Sequence, residues 1–167
     1  SYTLYEVDYN IEIKSAKGEE GKYQPSVLDF KEKVFEIINQ YLPWERVVIQ
    51  SFDFRVLKYW HKKYPQVRLA ALVENKKSVE TNLKELGFSP SIYSPDFILL
   101  KSQSTVTALK KKKIRVIPWT VNEPEDMKRL KAWGVDGIIT DYPNRAVELG
   151  MGLKRTNPLP PGAAPKL

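Results

Sequence analysis

The sequence predicts an α/β protein of the TIM (β/α)8-barrel type, incomplete at its N-terminus, with about six of the eight strands present. Three observations lead there. Short apolar runs alternate with amphipathic helical runs over short connections, the pattern of a parallel sheet covered by helices. Polar residues gather where successive predicted strands end: Glu12 and Lys14, then Gln50, Ser51 and Asp53, Glu74 and Asn75, Trp119 and Asn122, Thr140 and Asp141. That end of the strands is where barrels build their sites. The open, doubly wound alternative calls for a Gly-rich phosphate turn after the first strand, whereas Gly18 and Gly21 stand in a long charged loop without that fingerprint. Residues 1–150 are read as the C-terminal part of a barrel and 151–167, rich in proline, as a flexible tail.

The elements follow from periodicity. Strands are expected at 9–14 (YNIEIK), 46–52, 67–73, 95–100 (PDFILL), 114–121 (IRVIPWTV) and 136–141 (DGIITD). A first helix over about 26–41 places Val27, Phe30, Val34, Ile37, Ile38 and Tyr41 on one face. The next carries Phe54, Leu57, Trp60 and Tyr64 and stops at Pro65. Ser78 is expected to cap a helix with Val79, Leu83 and Leu86 that ends at Gly87. A weaker helix is expected over about 103–112. Asn122 is expected to cap a helix with Pro124, Glu125 and Asp126 in its first turn, Met127, Leu130 and Trp133 inward, and Gly134 as its stop. A short helix is expected after Pro143.

Composition narrows the function classes. With 167 residues and 42% hydrophobic content the chain can bury one domain's core. No run approaches the roughly 18 continuous apolar residues of a membrane span, so none is expected. The absence of cysteine excludes thiol catalysis and cysteine-ligated zinc, and leaves the compartment open. A formal charge of +7 suits an anionic partner. The dense run Lys110 to Lys113 closes a predicted helix, where cations favour the macrodipole, and no nucleic-acid-binding motif accompanies it, so nucleic acid is not an expected partner.

The first strand carries the most informative chemistry. In a strand, alternate residues share a face, so Asn10, Glu12 and Lys14 point one way and Ile11 and Ile13 the other. A carboxylate two residues from an ammonium on one face suggests a cation site beside an anion site, with a Glu12–Lys14 ion pair as the plainer reading. Ser51 and Asp53 lack an accompanying base and read as a strand-end turn or helix cap. Trp119 within an apolar strand reads first as core. Asp141 is expected to fix the turn before Tyr142 and Pro143. The single histidine, His61, lies beside Trp60 in an amphipathic helix and reads as a surface or half-buried structural residue.

The runs NIEIK at 10–14, VVIQSFD at 47–53, VIPWTVNEPEDMKRL at 116–130 and GVDGIITDYP at 134–143, in that order and spacing, resemble the later part of the glycerophosphodiester phosphodiesterase barrel. The resemblance covers about residues 9–145. It implies metal-dependent hydrolysis of glycerophosphodiesters to sn-glycerol 3-phosphate and an alcohol. It also implies that Glu12 is a ligand of a divalent cation, Mg²⁺ or Ca²⁺, that Lys14 faces the phosphate, and that Trp119 lines the substrate cleft. Family members open with a strand ending in His-Arg-Gly, then a strand with a Glu and an Asp that complete the metal site, then a second histidine. These have no counterpart in the 167 residues, so the chain is expected to need the missing N-terminal half of the barrel as its partner and to be inactive alone. A non-catalytic module that binds phosphate or phospholipid headgroups is the alternative.

Overall fold

A computed structural model of the protein describes residues 7–15 and 27–151. Five strands, β1 (Tyr9–Glu12), β2 (Val47–Ser51), β3 (Arg68–Val73), β4 (Ile92–Pro95) and β5 (Arg115–Val116), form a sheet in that order. Six helices accompany them: α1 (Val27–Tyr41), α2 (Phe54–Lys63), α3 (Val79–Leu86), α4 (Gln103–Lys111), α5 (Pro124–Trp133) and α6 (Pro143–Glu148). The expected Pro-rich tail lies outside the described residues. Contacts divide the chain near the start of β3, and each unit has its own core.

In the first unit β1 pairs in parallel with β2, Ile11 opposite Ile49 and Glu12 opposite Gln50. All five residues of β2 are buried, the apolar Val47, Val48 and Ile49 and the polar Gln50 and Ser51 at its end, as expected of a parallel strand covered on both faces. Beside them lies an aromatic cluster. Phe35 stacks on Tyr64 with ring centroids 4.3 Å apart and on Trp44 at 5.3 Å, and Trp60 meets Tyr64 at 5.2 Å. Trp60 from α2 is fully buried. The α1 stripe is narrower than its spacing predicts. Phe35 and Ile38 face the core, but Ile37 and Tyr41 are exposed. The Phe35 ring, stacked on two others, defines the inner face, and Ile37 two residues on falls outside that arc. Arg68 is buried at the start of β3, where it donates to the carbonyls of Val47 and Glu45.

In the second unit β4 pairs in parallel with both β3 and β5. Two expectations are corrected here. The fourth strand is Ile92–Pro95, not 95–100; residues Phe97–Leu99 form a 3-10 turn, with the Asp96 carboxylate accepting from the Ile98 amide, and Ile98 is exposed. An apolar run of that length reads as a strand, but pairing continues only a step past Pro95, the Asp96 amide donating to the Val73 carbonyl and the Phe97 amide to the Trp119 carbonyl, before the 3-10 turn takes over.

The second correction concerns residues 136–141, which run beside β5 without becoming a strand, so that five strands are present among the described residues rather than six. The amides of Asp136 and Ile139 donate to the carbonyls of Val116 and Pro118, and the Val121 amide donates back to Ile139. The ladder fails from the β5 side. Pro118 has no N–H, and the Val116 N–H goes to the Asp136 carboxylate at 2.9 Å instead of a backbone carbonyl. Around this seam Val106, Leu109, Val116, Val121, Met127 and Leu130 are fully buried.

The helix termini largely follow their sequence signals. Ser78 accepts from the Thr81 amide, and Pro124 opens α5. Gly87 and Gly134 close α3 and α5 with φ of 79° and 81°, a conformation that glycine adopts without strain. Asn122 is not the cap of α5, however; Glu123 takes that position without a side-chain cap bond. The Asn122 side chain instead accepts from the Thr140 hydroxyl and the Asp141 amide and donates to the Asp141 carboxylate. No described helix is long and apolar enough to cross a membrane.

Candidate functional site

Glu12, Ile13, Lys14 and Ser15, at the end of β1, line a cavity of about 310 Å³ with Ser51, Phe52 and Asp53 from the end of β2. Strand alternation puts Ile13 into the core at 1% exposure, leaving Glu12 half-buried and Lys14 exposed. One step back on the same face, the Asn10 amide donates to the Gln50 side chain at 2.7 Å. Among the described residues neither the Glu12 carboxylate nor the Lys14 ammonium has an ion-pair or hydrogen-bond partner. The ion pair between them does not form. Among the described residues the site therefore presents one carboxylate and one ammonium lining one cavity, neither engaged by a group of opposite charge.

Two side chains from the exit of β2 hold the segment that carries Lys14. The fully buried Ser51 hydroxyl donates to the Ile13 carbonyl at 2.6 Å and accepts from the Asp53 amide. The Ser15 hydroxyl donates to the Asp53 carboxylate at 2.6 Å. Asp53 is also the cap of α2, accepting from the Arg55 amide at 2.8 Å and from the Arg55 guanidinium at both carboxylate oxygens. Burial opposes ionisation of Asp53, but the bonds from the Arg55 side chain, the Ser15 hydroxyl and the Arg55 amide outweigh it and hold its carboxyl at about 2. Ser51 and Asp53 are thus a turn and a cap, as their sequence context suggests, and in addition they brace residues 13–15. Sequence reasoning missed Ser15 and Arg55. The Asp-x-Arg step at a helix start was the available signal for Arg55.

Trp119 belongs to the second unit and follows β5. It is half-buried, its indole N–H donates to the Ser94 carbonyl at 2.8 Å, its amide donates to Pro95, and its carbonyl accepts from Phe97. The indole is fixed by its nitrogen at the end of β4. His61 sits exposed in the last turn of α2.

A divalent hard cation takes about six to eight oxygen ligands in the case of Ca²⁺, or an octahedron that includes waters in the case of Mg²⁺. The open carboxylate of Glu12 suits either as one ligand. Among the described residues no group of three Asp, Glu or His side chains gathers to complete a cage.

A glycerophosphodiester phosphodiesterase from Caldanaerobacter subterraneus is 33% identical over 156 residues, covering 88% of this chain and 60% of the relative. Another from Bacillus altitudinis is 30% identical over 128 residues, covering 74% of this chain and 51% of the relative. The chain thus spans about half to three fifths of the length of these relatives. Among solved structures, an Oleispira antarctica phosphodiesterase in complex with sn-glycerol-3-phosphate aligns with a TM-score of 0.69 at 18% identity, over 86% of this chain and 55% of that one. It places the fold in the β/α-barrel class. The model of the glycerophosphoryl diester phosphodiesterase family matches residues 5–145, a span that takes in Glu12, Lys14, Asp53 and Trp119, and the chain belongs to that family.

Proposed function

We propose that this chain supplies the phosphate- and cation-facing part of a glycerophosphodiester phosphodiesterase, which hydrolyses glycerophosphodiesters to sn-glycerol 3-phosphate and an alcohol. The observation that carries this reading is the open Glu12–Lys14 pair lining the cavity at the ends of β1 and β2. Hydrolysis of a phosphodiester needs charge neutralised on the nonbridging oxygens, a nucleophile, and a proton for the departing alkoxide. Lys14 meets the first need as a point charge on a phosphate oxygen. Glu12 contributes one ligand to a divalent cation, Mg²⁺ or Ca²⁺, whose chemistry there is to draw negative charge from the phosphate. Ser51, Ser15 and Asp53 keep the Lys14 segment from relaxing away. Trp119 is proposed as a substrate-binding residue, its indole anchored at the end of β4 by the bond to the Ser94 carbonyl.

Among the described residues no histidine lines the cavity. The acid and base are proposed to come from a segment with the two histidines that the family resemblance implies, and this chain alone is proposed to be inactive. No observation favours the non-catalytic module. The test is a coupled assay for sn-glycerol 3-phosphate released from glycerophosphocholine with Mg²⁺ or Ca²⁺. The chain is assayed by itself and with the N-terminal segment of the Caldanaerobacter relative. Turnover is expected only in the second case, and it should fall by about 10² or more in Lys14→Ala. Turnover by the chain alone, unchanged in Glu12→Ala and Lys14→Ala, would overturn the assignment.

A further inference from the structure

The second unit contains a larger cavity, about 470 Å³, bounded by the start of α3, the buried Tyr93 of β4, the loop before α4 and the length of α4. Its volume lies within the range of roughly 300 to 1,000 Å³ typical of small-molecule sites. The lining determines what it can hold. Val79, Pro95, Leu99, Leu100, Ala108 and Leu109 give it an apolar body.

Most of its uncharged polar groups are already engaged. Asn75 is bonded to Asn82 in both directions and accepts from the Lys77 amide. The Tyr93 hydroxyl takes a bond from Asn82, Ser78 is occupied with Thr81, and Ser104 and Thr105 are occupied with Ser102. Lys77 is paired with both oxygens of Glu85. What remains open on the wall, among the described residues, is the ammonium groups of Lys101 and Lys112, one carboxylate, Glu80, and the proton of the Tyr93 hydroxyl, which itself only accepts from Asn82. A sugar or a nucleoside would bring many donors and acceptors into a wall with few to answer them. A ligand with an apolar body and a single anionic head matches what is open.

We propose that this cavity is a second ligand site, separate from Glu12 and Lys14, that takes a monomeric single-chain anionic amphiphile, its chain against Val79, Leu99 and Ala108, the apolar lining residues with exposed surface, and its head at Lys101 and Lys112. The site lies wholly within the second unit and does not depend on the phosphodiesterase reading. Decanoate below its micellar concentration is the probe, followed by calorimetry and by amide shifts in the purified full chain. Decyl alcohol, inorganic phosphate and anionic phospholipid vesicles are the comparisons.

Saturable decanoate binding with shifts at Tyr93, Leu100, Thr105 and Leu109 is expected. Decyl alcohol should bind at least about tenfold more weakly, and phosphate alone should not bind there. Ala108→Trp, which fills the cavity, should abolish binding while circular dichroism and the melting temperature show a folded chain. Lys101→Gln with Lys112→Gln should weaken binding about tenfold or more, the loss expected of charge-assisted contacts. Binding unaffected by Ala108→Trp in the folded variant, equal affinity for decyl alcohol, or attachment to vesicles without any monomer binding would each overturn the proposal.

Discussion

Asp53 shows how much one side chain can organise. It caps α2, binds Arg55 at both oxygens and receives the Ser15 hydroxyl. Its carboxyl, at about 2 in the folded chain, lies below the usual unfolded value of about 3.9. The folded state therefore holds this carboxylate charged more firmly, and the stabilisation is fully present above pH 4. It is lost as pH falls from about 4 to 2 and amounts to about 2 kcal/mol. Asp53→Asn should lose about that much stability at pH 7 and show a flatter acid limb, measured by urea unfolding at pH 7 and at pH 3. Equal stability of variant and parent at pH 7 would contradict the brace. By contrast, Glu12→Ala and Lys14→Ala should change stability by less than about 0.5 kcal/mol, because neither side chain has a partner to lose among the described residues. Alternation predicted the face these residues share. The brace around them was not legible, because it depends on which residues of β1 and β2 lie opposite each other.

Among the elements, the passage beside β5 is the most instructive. The sequence DGIITD has the apolar content of a strand, and its backbone follows the path of one, but one missing donor at Pro118 and one side-chain acceptor from Asp136 interrupt the ladder. Asp136→Ala should unpair the buried Val116 N–H and cost about 1 to 3 kcal/mol. Lys110→Ala should cost well under 1 kcal/mol, although the Lys110 ammonium lies 3.5 Å from the same carboxylate and donates to the Gly134 carbonyl at 2.8 Å, because both contacts are on the solvent side. Thermal unfolding of the two variants separates the roles; equal losses would mean that the ion pair, not the amide bond, holds the seam. The helices were easier to read. Their caps at Ser78, Gly87, Pro124 and Gly134 are local, needing no knowledge of the partner strand. The fourth strand was misplaced because IYSP carries few apolar residues while FILL carries many, and burial on both sides of β4 comes from its neighbours rather than from its own composition.

At the scale of the molecule, strand–helix alternation and the polar strand ends were sufficient to indicate the barrel class, and the ordered motifs to indicate the family. What they could not supply is a complete site, since the described residues gather one open carboxylate and one open ammonium rather than a metal cage with an acid and a base. The proposed phosphate- and cation-facing role of this pair can be tested in the chain by itself. The direct measurement is a titration with sn-glycerol 3-phosphate in the presence of Ca²⁺, followed by the amide shifts of the ¹⁵N-labelled chain. Weak, saturable binding is expected that moves the signals of residues 12–15 and 51–53, requires Ca²⁺ for its full strength, and disappears in Lys14→Ala. Shifts confined to other residues, or binding that persists undiminished in both Lys14→Ala and Glu12→Ala, would contradict it.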